Sequence, residues 1–228
     1  MLFGEYRLIG KLELSTPRGM LILEKVGNNA VRIVKRIGEL ESSKLVSLIA
    51  ISHVALKAIP PLGGPWNSNC VYVVLPEPVA LSHEAVLQSE LKLPVDLGVF
   101  IGEELVDVIP LGRVKYALYG SPDLGDICRY VDTKILESYV MNVAKSRVLF
   151  KSRGNARIEI TKLVIPVKSA TVYSTERGEL YISDIEVNAL SPTHVEVRVT
   201  AETSYTIPGK LLSVLKGPGA TYIMKYGV

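Results

Sequence analysis

The chain has 228 residues, of which 48% are hydrophobic and 21% charged, and 26 Lys+Arg stand against 23 Asp+Glu. An apolar content this high, with a net charge of only +3, excludes a disordered chain, and 18 Gly and 13 Pro scattered without period exclude a collagen-like one. A chain of this length buries about 70% of its unfolded surface, enough for one large core or two modest ones.

Strand signals dominate from the start. Over 5–14, Tyr6, Leu8, Leu12 and Leu14 share one parity and Glu5, Arg7, Lys11 and Glu13 the other, which predicts one strand with a buried and a wet face. Met20 to Leu23, Val31 to Ile37, Val46 to Leu56 and Val71 to Leu75 are apolar on both parities and read as central strands covered on both sides. Pro94 fixes the entry to a strand over Val95 to Ile101, and Gly98 within it permits a bend or a close backbone approach. Tyr116, Leu118 and Tyr119 then run into the turn Gly120-Ser121-Pro122-Asp123, with Ile127 to Tyr130 as the returning arm of a hairpin.

A helix is predicted next. Ile135, Leu136, Tyr139, Val140 and Val143 recur at helical spacing, and Asp132 or Thr133 can cap the first turn. A second hairpin follows: Arg147 to Lys151, a turn at Ser152-Arg153-Gly154-Asn155, then Ala156 to Thr161. Leu180 and Ile182 lie on one parity but Ile185 and Val187 on the other, so a bulge is expected near Ser183-Asp184. From Thr193 to Thr203 the alternation is clean, with Val195, Val197 and Val199 on the apolar side. The last strand is expected over Ala220 to Met224. The fold class expected is mainly β: an antiparallel β-sandwich or two packed β-sandwiches, with at most one or two short helices. The Pro110-Leu111-Gly112 region is the natural boundary, dividing 1–112 from 113–228 as two halves that can also form a single domain.

The longest apolar stretch, Leu45 to Leu56, contains Ser47, Ser52 and His53 and is shorter than the roughly 20 residues that span a bilayer. Glu5 and Arg7 interrupt any leader, so a cytoplasmic location is expected. A single glutamine, Gln88, hints at a thermophilic source. Cys70 and Cys128 lie far apart and form no CxxC pair; they read as two buried thiols acting as small apolar residues, with a disulfide as the alternative.

Two segments, KLPVDLGVFIG at 92–102 and VKYALYGSPDLGDICRY at 114–130, together with VLPEPVAL at 74–81, resemble an archaeal family of conserved domains of unknown function. The resemblance implies an archaeal source and no established activity. It transfers no catalytic residues.

No phosphate-loop, dinucleotide or nucleophile-elbow spacing occurs. The three histidines have no metal-site spacing: His53 reads as a core histidine, His194 as solvated, and His83-Glu84 as a strand end. No cofactor or metal is therefore expected. The charge distribution says more. Six basic residues lie between Lys145 and Lys162 against one acid, Glu159, and the rest of the chain is slightly acidic. On a hairpin, Arg147, Lys151, Arg153 and Arg157 project from one face and can neutralise phosphates of a nucleic acid or another polyanion. The alternative is a solvated hairpin whose charges pair with neighbouring acids. A second candidate site is the loop carrying Tyr116, Tyr119, Asp123 and Asp126, where two carboxylates among glycines can serve an enzyme. Trp66, in a Gly/Pro loop, can anchor a partner or close over the core. The reading that covers most of these features is a non-catalytic binding or scaffolding protein, engaging a protein partner or a second copy through its strand edges.

Overall fold

Period-two alternation places strands along most of the chain, and the computed structural model describes residues 2–48, 53–64, 68–136, 142–205, 212–215 and 218–228. Among these the strands, numbered in chain order, form four sheets. An N-terminal meander contains β2 (Lys11–Thr16), β3 (Gly19–Val26), β4 (Ala30–Ile37) and β5 (Leu40–Ser47), each antiparallel to the next. Beside it, β1 (Gly4–Arg7), β6 (His53–Ile59), β9 (Asp96–Ile101) and β10 (Glu104–Pro110) make a second antiparallel sheet in that order.

The third sheet has the order β11 (Tyr116–Tyr119), β12 (Asp126–Asp132), β7 (Val71–Leu81) and β14 (Ile158–Ile165), with β12 parallel to β7. The fourth is the largest and is built on β13 (Val143–Ser152). One side of β13 pairs antiparallel with β8 (Val86–Pro94); the other pairs parallel with β16 (Leu180–Ile182) and then β17 (Ile185–Ser191). From β16 the sheet continues through β15 (Val172–Ser174) to β19 (Leu212–Leu215), and from β17 through β18 (His194–Val199) to β20 (Ala220–Met224). The packed sheets are mainly antiparallel and sandwich-like. One continuous apolar core runs through all four, from Leu21, Leu23 and Ile33 through Leu56, Leu97 and Val73 to Phe150, Val187 and Val197.

Several local expectations hold. The hairpin of Tyr116–Tyr119 with the returning arm forms as β11 and β12, and the last strand spans Ala220–Met224. Ala144 pairs with Leu180 but Val148 with Ile185, so one extra residue enters between β16 and β17, where the parity switch required a bulge. At Gly98 a Cβ would lie 2.8 Å from both Ile59 Cγ2 and Phe100 Cε2, so the close approach needs glycine.

Other expectations are corrected. The predicted single strand over 5–14 is two strands in two sheets, because the chain turns at Ile9-Gly10 while Leu8 stays buried. The stretch Val46 to Leu56 is not one central strand: β5 ends at Ser47 as an exposed edge, and β6 begins at His53, which is exposed and not in the core. The hairpin over 147–161 does not form. β13 is a central strand with both edges occupied, and β14 pairs with β7 in another sheet. Cys70 and Cys128 are not free thiols: they form a disulfide linking the start of β7 to β12. They meet because the parallel register sets Val71 opposite Arg129, which brings the preceding residues side by side, with Cα atoms 4.8 Å apart. Of the predicted helix over 132–143, residues 137–141 lie outside the described residues, and Val143 already belongs to β13.

Candidate functional site

In β4, Val31, Ile33, Lys35 and Ile37 share one parity. Val31 and Ile33 are fully buried, so the same inner face that builds the core carries a lysine next along the strand. In β5, Lys44 lies opposite Ile33 and Ser42 opposite Lys35, which adds a second lysine to that face. Across from them runs β10, whose ladder is irregular between Leu105 and Asp107. Both ammonium groups reach the one carboxylate there: Lys35 Nζ and Lys44 Nζ each stand 3.1 Å from an Asp107 oxygen. The Asp107 side chain is only 8% exposed. Lys44 also donates to the Val106 carbonyl at 2.7 Å, and the Val108 N–H to Asp107 Oδ1 at 2.9 Å.

Between this end of the meander, β10 and the segments at 62–64 and 113–116 lies a cleft of about 840 Å³. Four cations line it, Arg18, Lys35, Lys44 and Arg113, against the single carboxylate of Asp107. No ion pair or hydrogen bond engages the side chain of Arg18 or Arg113 among the described residues.

A buried ion pair fixes the cleft from beneath. Asp96 on β9 and Arg129 on β12 are almost wholly enclosed, and Arg129 Nη1 donates to the two carboxylate oxygens at 2.7 and 2.6 Å. The Gly63 N–H donates to Asp96 Oδ2 at 2.6 Å, which holds the segment lining the cleft against β9. Burial pushes the Asp96 carboxyl above its ordinary range, opposed by Arg129 and by the N–H groups of Gly63 and Leu111. Gly64 follows with φ +129°, and a Cβ there would run into the Tyr116 hydroxyl, so backbone and phenol meet directly at the cleft wall.

The residues singled out from the sequence fall in different places. Tyr116 lines the cleft, opposite Arg129 in the β11–β12 register. Tyr119, three residues on, faces the other side and is 4% exposed; its hydroxyl donates to the Gly227 carbonyl at 3.1 Å and accepts from the Tyr226 N–H at 3.0 Å. Asp126 accepts a hydrogen bond from Tyr222, while Asp123 is exposed on the turn and makes no polar contact among the described residues. The four do not converge on one site. The basic set is divided as well. Arg147 pairs with Asp184 at 3.2 Å and Lys151 with Glu186 at 3.6 Å, while Arg153 and Arg157 are exposed beyond the end of β13. Trp66 lies outside the described residues; Gly63 and Gly64, just before it, line the cleft.

Sequence reasoning missed the cleft and the Asp96–Arg129 pair. The available signals were a lysine on the core parity of β4 and an acid inside the apolar run Val95-Asp96-Leu97. A charge in such a position needs a partner or faces a cavity.

A family model described as a protein of unknown function, DUF432, matches residues 2–218. The chain belongs to the DUF432 family. The resemblance read over residues 74–130 therefore holds and extends over nearly the whole chain. No curated protein and no solved structure matches it. Among the described residues of this DUF432 chain, no helix is long and apolar enough to cross a membrane.

Proposed function

We propose that this DUF432 chain is a non-catalytic binding protein whose ligand is an anion seated in the cleft between β4, β5 and β10. The observation that carries the reading is the excess of positive charge there: Lys35 and Lys44 share Asp107, whereas Arg18 and Arg113 line the cleft without a counter-ion among the described residues. Guanidinium groups suit carboxylate and phosphate oxygens because their planar donors match them in pairs. The polyanion reading of the sequence thus moves from the 145–162 segment to this cleft, since Asp184 and Glu186 already engage Arg147 and Lys151.

Calorimetric titration with inorganic pyrophosphate tests it. Saturable binding is expected, weakening with salt and falling by about tenfold or more in the double variant Arg18→Glu/Arg113→Glu, since 1.4 kcal/mol is tenfold. No heat from pyrophosphate, or an isotherm unchanged by the charge reversal, overturns the reading.

A second reading, engagement of another protein or a second copy, is supported by β5. Among the described residues this edge strand is unpaired on its outer side, and it exposes Leu40 and Leu45 at 78% and 61%. A strictly monomeric mass by light scattering at high protein concentration would remove the second-copy form of that reading.

A further inference from the structure

We infer that the ligand of the basic cleft is an anionic amphiphile, with an apolar body attached to its charged group. This rests on the reading that the cleft binds an anion. The lining carries the argument. Ile37, Leu62, Leu105, Val106, Val108 and Val114 all line the cleft, and all are half-buried. They come from three separate parts of the fold: the end of the meander, the 62–64 segment with 113–116, and β10. Lys44 and Arg113 are exposed, whereas the aliphatic groups are half-buried together with Arg18 and Lys35.

A site for a bare oxyanion does not need this arrangement. Polar groups and water would surround a phosphate, and a volume of about 840 Å³ far exceeds what one oxyanion occupies. Sites of roughly 300–1,000 Å³ that combine an apolar lining with a few charged groups are those of drug-sized ligands. Here the cations orient the anionic end and the aliphatic wall covers the remainder. The four cations also exclude a cationic amphiphile, which Asp107 alone could not balance. Asp107 is held between Lys35 and Lys44 and leaves Arg18 and Arg113 as the groups available to an entering anion.

The experiment compares inorganic phosphate, butyl phosphate and octyl phosphate, each below its micelle concentration, by calorimetry on the full chain. Affinity is expected to rise with chain length, by up to about fourfold for each methylene fully removed from water. Two variants separate the contributions. Arg18→Glu/Arg113→Glu should weaken all three phosphates. Val108→Ser should flatten the rise with chain length, with thermal melting used to show that the variant is folded. If the alkyl phosphates bind no more tightly than inorganic phosphate, the amphiphile is wrong and the anion reading stands. If octyl phosphate binds and the arginine reversal does not matter, the site is merely apolar and both inferences fail.

Discussion

Asp96 and Arg129 show how much one residue pair can organise when water is excluded. Each charge alone would be strongly disfavoured at this depth, yet together they form a two-oxygen contact that also captures the Gly63 N–H. The pair joins β9 to β12 and fixes the segment lining the cleft. Removing one partner leaves the other charge buried, so Asp96→Leu is expected to cost about 3–5 kcal/mol. Arg129→Met should cost a similar amount. Asp96→Leu combined with Arg129→Met should cost clearly less than the two single changes summed, because no charge remains. Denaturant unfolding of the three variants checks this, and strictly additive losses would show that the charges do not depend on each other. The sequence carried half of this information. An aspartate between Val95 and Leu97 is visible as an anomaly, but the residue that neutralises it is 33 positions away and obeys no spacing rule. The same limit applies to Cys70 and Cys128, whose meeting depends on a parallel register across a separation of 58 residues.

Elements were readable where the information was local. Alternation over 193–203 defines β18, although the strand stops at Val199. The parity switch at Ser183-Asp184 locates the bulge, because a period of two cannot change face without an inserted residue. The Gly-Ser-Pro-Asp turn correctly predicts that β11 and β12 pair. The turn at Ser152–Asn155 looks equally convincing yet joins strands of different sheets. Nothing local distinguishes the two cases. What differs is the competition for partners: β13 alternates strictly between buried and half-buried residues over ten positions and pairs along nine of them with β8, leaving no free edge for β14. The basic residues separate for that reason, and Arg147 and Lys151 instead face Asp184 and Glu186 near and on β17. The cleft was invisible for a related reason. Its cations come from a turn, two strands of the meander and a loop after β10, and no stretch of sequence holds them together.

At the scale of the whole molecule, the strands on either side of residue 112 are interleaved. β7 lies between β12 and β14, and β8 pairs along β13, so the sheets that contain the C-terminal strands are completed by N-terminal ones. The apolar core is continuous from Leu8 to Met224. The C-terminal strands thus share their sheets with β7 and β8 and one core with the N-terminal sheets, and cooperative unfolding is expected from that sharing. We therefore predict one calorimetric transition, with far-UV and near-UV melts coinciding. Two separated transitions would instead support independent halves. The disulfide sharpens the test. It closes a loop of 58 residues that includes β8, β9, β10 and β11, and such a loop restricts the unfolded chain by about 4 kcal/mol. At about 2–4 °C per kcal/mol for a chain of this size, reduction should lower the midpoint by about 10 °C. Because β7 and β12 are also tied by their own ladder and by the core, the transition should move as a whole and not split. A melt in which reduction releases the third sheet alone, leaving the β13 sheet to unfold later, would show that the interleaving does not couple them.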